Sequence, residues 1–91
     1  MEQKFLAAWA AAREQAHKLG VRLRPMELTM AQAKRALSGN RDSDGFGSLC
    51  SKGRLDLSLE ALAVNKQYTT LFTDEEANNA LMRLLDAGYR F

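Results

Sequence analysis

Hydrophobic residues recur every three or four positions along the first part of the chain, which is the spacing of one face of an α-helix. Charged residues lie opposite, and Glu14 with Lys18 forms a favourable pair four residues apart. Gly20 then supplies the left-handed position at which helices commonly end. We therefore predict a first helix over residues 2–19. Its hydrophobic stripe comprises Phe5, Ala8, Trp9, Ala12, Ala16 and Leu19.

A capping pattern marks the start of a second helix. The hydroxyl of Thr29 can accept a hydrogen bond from the third backbone amide that follows, and Gln32 can reach back to Thr29. We predict a short helix over residues 30–38, ending at Gly39.

The last helix has the same signature in a stronger form. Thr73 and Glu76 make a capping box, and acidic residues fill the first turn, where the helix dipole favours them. We predict a helix over residues 74–87, with Tyr89 folding back on Leu84 after Gly88. We expect Ala77, Leu81, Leu84 and Leu85 to face inward, and Glu75, Asn79, Arg83 and Asp86 to face outward.

The segment between these helices supports two interpretations. Residues 39–57 are rich in Gly, Ser and Asp, so we predict a long loop. The alternation of residues 54–59 is typical of a short strand. Alternatively, Ser58 caps a short helix over residues 59–66, which we favour. The fold prediction also includes a minor β pairing of residues 55–57 with residues 89–91.

The start of this loop resembles half of a calcium-binding loop. Asn40, Asp42, Asp44 and Gly45 follow the N-x-D-x-D-G pattern of an EF-hand. Ser51 stands where the motif needs a bidentate Glu, and Arg41 adds a positive charge inside the loop. We therefore predict no metal site.

The hydrophobic composition fixes the expected fold class. The chain of 91 residues has fourteen Leu and fourteen Ala but only two Val and no Ile. Ala and Leu favour helices, whereas strands favour β-branched side chains. We predict a single all-α domain over residues 1–91, with about four helices. The first and last helices, which are the long ones, are expected to pack on each other.

Charge is distributed unevenly along the chain. The net charge is +2, yet residues 18–54 contain eight basic and three acidic residues. If the fold gathers these cations on one surface, they could neutralise nucleic-acid phosphates. A helix-turn-helix arrangement is disfavoured, because carboxylates occupy the first turn of the last helix, where such motifs approach DNA.

The residues that carry chemistry are few. Cys50 and His17 are the only cysteine and histidine, and His17 falls on the solvent flank of the first helix. A cysteine nucleophile needs a nearby base, and zinc needs several ligands. We therefore predict a protein that is not an enzyme and binds no cofactor. A lone cysteine fits the cytoplasm, and the longest apolar run, residues 5–12, is too short to span a membrane.

These observations lead to two hypotheses of function. We favour a non-enzymatic binding or regulatory module that acts through protein–protein contacts, with a protein partner or a second copy of the chain. The alternative is a nucleic-acid-binding protein that uses residues 18–54. The candidate binding residues, with Phe46 as an exposed anchor, are Arg22, Arg24, Lys34, Arg35, Arg41, Phe46, Lys52 and Arg54.

Overall fold

The computed structural model describes residues 1–89, and all regular structure within that range is helical. The prediction of an all-α protein is confirmed. Two short 3-10 turns, Leu55–Leu57 and Thr69–Leu71, accompany the α-helices. The five α-helices are α1 (Glu2–Lys18), α2 (Met30–Ser38), α3 (Phe46–Ser51), α4 (Leu59–Ala63) and α5 (Asp74–Asp86).

Side-chain caps begin three of these helices where the sequence predicts them. The Thr29 hydroxyl accepts from the Gln32 amide at 3.2 Å, at the start of α2. The Ser58 hydroxyl accepts from the Ala61 amide at 3.1 Å, at the start of α4. The start of α5 has the complete capping box, in which Thr73 and Glu76 bond to each other's backbone amides. Each cap satisfies an amide that has no partner within its helix.

The predicted loop over residues 39–57 is only partly irregular. Its middle forms α3, because Phe46 and Leu49 lie three residues apart and both enter the core. Gly45 precedes α3 with φ +80, and a Cβ there would collide with the Leu23 side chain. A glycine is therefore required at the turn into α3.

The predicted strand pairing is wrong for residues 55–57, which form a 3-10 turn. The turn places Leu55 in the core, while the Ser58 hydroxyl donates to the Leu55 carbonyl at 2.7 Å. The alternation of residues 54–59 therefore reflects a turn that leads into α4. Two of the proposed partner residues, 90 and 91, lie outside the described residues.

The central element of the packing is α4. It lies against α5 on one side and contacts α1 on the other, while α2 packs on α5. The first and last helices therefore meet mainly through α4, instead of packing directly on each other as predicted. Phe5 on α1 anchors one core cluster, with its ring 5.2 Å from Phe72 and 5.3 Å from Tyr68.

A second core cluster joins the C-terminal ends of α1 and α5. It contains Ala16, Phe46 and Leu84, and Tyr89 packs against it as predicted.

The rotation of α5 differs from the prediction. Its buried residues are Glu76, Ala80 and Leu84, whereas Leu81 and Leu85 are exposed. Two of the four polar residues expected outside, Asn79 and Arg83, instead reach other parts of the fold through hydrogen bonds, whereas Glu75 and Asp86 are exposed as predicted.

Candidate functional site

A buried carboxylate explains why α5 turns polar residues inward. Glu60 on α4 is 0% exposed. Its Oε2 accepts from Arg83 Nη1 at 3.1 Å and from the Ser43 amide at 2.9 Å, and its Oε1 accepts from the Ser43 hydroxyl at 2.5 Å. The charge of Glu60 is therefore both paired and hydrogen-bonded, which a buried carboxylate requires.

The same face of α5 also closes the end of α2. Arg83 donates to the Ala36 carbonyl at 3.1 Å and to the Gly39 carbonyl at 2.7 Å. Asn79 donates to the Leu37 carbonyl at 2.9 Å. These carbonyls belong to the end of a helix, where partners within the helix are missing. The inward polar residues of α5 thus hold the end of α2 and the segment that follows.

As a consequence, α5 presents apolar side chains to solvent. Leu81 is 36% exposed, Met82 is 55% exposed and Leu85 is 50% exposed. On a helix these positions share one side with Asp74 and Asn78, and we call this set the outer face of α5. Leu81 also borders a shallow hollow that is completed by Val64, Thr69, Ala77 and Asn78.

The outer face of α5 has an acidic border. Asp74 and Glu75 are exposed at its start, and Asp86 is exposed at its end. The only basic residue of α5 is Arg83, whose guanidinium is turned to Glu60. The surface that α5 offers is therefore apolar in the middle and negative at both ends.

The sequence-predicted cations do not all remain available for binding. Lys34 lies 3.5 Å from Glu76 and 5.7 Å from the centre of the Phe72 ring. Arg54 pairs with Asp56 at 3.0 Å. This pairing lowers the pKa of the Asp56 carboxyl, mainly through the hydrogen bond from Arg54.

The prediction that Phe46 is an exposed anchor is wrong, because its side chain lies in the core. The flanking glycines suggested exposure, but Gly45 serves the turn into α3 and brings Phe46 inward. The remaining candidates, which are exposed, are Arg22, Arg24, Arg35, Arg41 and Lys52.

Two of these exposed cations meet beside the segment that follows α2. Arg35 and Arg41 line one hollow, but Asp42 and Asp44 line it as well. Equal numbers of cations and carboxylates give this hollow little net attraction for phosphate. The basic segment therefore carries its own neutralising charge at this point.

A small apolar pocket adjoins this hollow. It lies between α1, the segment after α1, α2 and the 3-10 turn before α4, and its cavity volume is about 130 Å³. Arg13 spans one edge, donating to the Arg24 carbonyl at 2.6 Å, while the Arg24 amide donates to Asp44 at 2.6 Å. Sequence reasoning missed this pocket, because its walls are far apart in the chain. Its lining includes Trp9, Leu23, Met26, Gln32, Arg35, Leu49, Leu57 and Leu59.

The residues that the sequence analysis considered and rejected for metal or thiol chemistry lie in other parts of the fold. Asp44 of the calcium-like motif accepts from the Arg24 amide, and within residues 1–89 no three metal-ligating side chains cluster. The Cys50 thiol lies 3.8 Å from the Ala87 carbonyl, in a hollow with Tyr89. His17 borders a different hollow, on α1.

Comparisons with protein-family models, curated proteins and solved structures found no significant match to this chain. Among the described residues, no helix combines the length and hydrophobicity needed to cross a membrane.

Proposed function

We propose that this chain is a non-enzymatic binding or regulatory module that acts through protein–protein contacts, using the outer face of α5. The observation that carries the proposal is the exposure of Leu81, Met82 and Leu85 on α5. The same helix directs the side chains of Asn79 and Arg83 to other parts of the fold. Contiguous exposed apolar side chains with a polar border are typical of interaction sites. The separate locations of Cys50 and His17 support a role without catalysis. Its lone cysteine supports a cytoplasmic setting.

The border of the outer face favours a basic partner over a second copy. Two copies of α5 paired in antiparallel fashion would place Asp86 of one near Asp74 and Glu75 of the other, where like charges repel. An amphipathic helix with apolar residues in its middle and Lys or Arg at its ends would match both features. We therefore assign the face to such a helical partner.

A designed peptide tests this proposal. The probe is an amphipathic helix of Leu and Lys, and its matched counterpart has Glu in place of each Lys. We expect the basic peptide to shift the backbone amide NMR signals of residues 74–86, and the acidic peptide to leave them unchanged. Shifts confined to other residues, or equal shifts with both peptides, would contradict the proposal.

Two variants sharpen the experiment. Leu85→Gln changes the outer face, whereas Leu19→Gln changes a comparably exposed leucine at the end of α1. Both sites are at the surface, so each variant should keep its stability within about 0.5 kcal/mol. We expect only Leu85→Gln to weaken binding of the basic peptide. Sedimentation of the free protein tests the homodimer directly, and a dimer that Leu85→Gln dissociates would reassign the face to a second copy.

Nucleic-acid binding remains the second candidate, because Arg22, Arg24 and Lys52 are exposed and their side-chain charges have no carboxylate partner among residues 1–89. A filter-binding titration with duplex and single-stranded DNA at two salt concentrations separates the two functions. Binding through phosphate contacts falls steeply as salt rises. The absence of binding at low salt would end this alternative.

A further inference from the structure

We infer that the pocket beside Arg35 is a binding site for a small carboxylic acid that has one apolar group of about the size of a phenyl ring. This site is separate from the outer face of α5, and the inference is independent of the proposed protein contact. Three properties of the pocket carry the inference: its volume, its apolar floor and the charges at its rim.

The floor of the pocket is apolar and already formed. Trp9, Ala16, Leu49 and Leu59 are buried, and all four line the pocket. The cavity volume is about 130 Å³. An apolar cavity of roughly 150 Å³ is known to hold benzene, so one ring or one branched aliphatic group matches the available space. The ligand therefore has a single compact apolar group.

The rim supplies the polar recognition. Gln32 and Arg35 lie three residues apart on α2, and both line the pocket and are exposed. Within residues 1–89 the Arg35 guanidinium has no hydrogen bond or ion pair. Its planar donors match a carboxylate, with which arginine forms two parallel hydrogen bonds. Gln32 offers an amide donor beside it.

The other charges at the rim restrict the anion. Arg13 is engaged by the Arg24 carbonyl and lies 3.9 Å from Asp44, so its charge is partly neutralised. Asp44 adds a negative charge on that side of the pocket. Arg13, Arg35 and Asp44 together give the lining a net charge of +1, which a monoanion balances and a dianion would exceed. The charge pattern therefore favours one carboxylate, placed on the Arg35 side.

Trp9 provides the measurement, because it is the only tryptophan of the chain and lines the pocket. The probe is phenylacetate, titrated at constant ionic strength. Phenylacetamide serves as the control without charge, and acetate serves as the control without the ring. We expect a saturable change in Trp9 fluorescence with phenylacetate, with a Kd in the millimolar range for a ligand of this size. Both controls should bind at least about tenfold more weakly.

Two arginine variants assign the carboxylate partner. Arg35→Gln should weaken binding of phenylacetate about tenfold, because a charge-assisted pair is lost, and should leave binding of phenylacetamide unchanged. Arg22→Gln, at an exposed arginine that does not line the pocket, should bind phenylacetate like the original chain. Circular dichroism checks that both variants are folded.

Three outcomes would overturn the inference. Equal affinity for phenylacetate and phenylacetamide would remove the role of charge, and an unaffected Arg35→Gln variant would remove the role of Arg35. The absence of any saturable change in both Trp9 fluorescence and the amide NMR signals of residues 32–36, up to about 50 mM phenylacetate, would remove the site itself.

Discussion

Two arginine–carboxylate pairs of nearly equal length occupy very different environments in this protein. Arg83 lies 3.1 Å from Glu60, and their side chains are 9% and 0% exposed. Arg54 lies 3.0 Å from Asp56, and their side chains are 45% and 50% exposed. Distance alone therefore says little about what each pair contributes, because water screens the second pair and is excluded from the first.

The comparison shows where the fold depends on charge. Removing one member of a buried pair leaves the other charge without a partner in a place that water cannot reach. Removing one member of an exposed pair lets water replace it. The Arg83–Glu60 pair should therefore be strongly sensitive to substitution, and the Arg54–Asp56 pair should be almost insensitive.

The largest effect is expected for Arg83→Met. The substitution leaves Glu60 buried without its cation and removes the donors to Ala36 and Gly39. We expect a loss of about 3–5 kcal/mol in the free energy of unfolding, measured by urea denaturation. Arg22→Met, at an exposed position, is the control and should change stability by less than about 0.5 kcal/mol.

A double variant separates charge from packing at the same place. Arg83→Met combined with Glu60→Gln leaves no unpaired charge in the core and keeps a side-chain oxygen that can accept from Ser43. It should therefore be more stable than Arg83→Met alone, although it carries an additional substitution. If the second substitution lowers stability further, the effect of Arg83→Met does not come from a stranded carboxylate.

Ser43→Ala should give the next largest effect. The Ser43 hydroxyl donates to Glu60, and a hydrogen bond to a buried charged group contributes about 1.5–3 kcal/mol. The bond from the Ser43 amide to Glu60 remains, so the loss should be smaller than for Arg83→Met. Thermal unfolding compared with Ser48→Ala, at an exposed serine of α3, measures the difference. Equal midpoints for the two variants would show that the hydroxyl bond contributes nothing.

A smaller loss is expected for Asn79→Ala, which tests a neutral contact in the same region. Asn79 bonds the Leu37 carbonyl at 2.9 Å, and its loss leaves a polar group unpaired without stranding a charge. We expect a loss of about 1 kcal/mol in the free energy of unfolding, measured by urea denaturation. The neighbouring Asn78 is exposed on the outer face of α5, so Asn78→Ala is the control. If Asn79→Ala lowered the free energy of unfolding as much as Arg83→Met does, the cost of these substitutions would come from burial of a polar group and not from its charge.

The smallest effect is expected for the exposed pair, and it depends on pH. Because Arg54 lowers the pKa of Asp56, the ionised carboxylate is favoured in the folded state. Its contribution is present above the unfolded pKa of about 3.9 and is lost as pH falls through the lower folded pKa. In Arg54→Gln, the pKa of Asp56 measured by NMR titration should move back toward its ordinary value. An unchanged titration of Asp56 would show that the pair does not persist in solution.

Features that depend on neighbouring residues could be predicted from the sequence. The Thr29, Ser58 and Thr73 caps are confirmed. They could be predicted because each bond joins residues only three positions apart in the chain. The short α3 was missed, since its two buried residues are too few to produce a periodic pattern and glycines surround them. Its formation depends on a core that more distant parts of the chain complete.

The rotation of α5 could not be predicted, because the sequence places hydrophobic residues on more than one side of the helix. Leu81, Leu84 and Leu85 are equally apolar, and only Leu84 is fully buried. The orientation is decided by Arg83 and its partner Glu60, which is 23 residues away in the chain. The pocket beside Arg35 was missed because its walls are far apart in the chain, although Arg35 itself is among the predicted binding residues.

The long sequence separation of the Arg83 contacts also bears on the rate at which this protein unfolds. Arg83 reaches carbonyls 47 and 44 residues earlier in the chain, whereas the caps join residues three apart. Such distant contacts require most of the chain to be in place before they form, so we expect them to be absent from the folding transition state. Arg83→Met should then accelerate unfolding and leave the folding rate nearly unchanged. The interior charge pair would in that case set the lifetime of the native state.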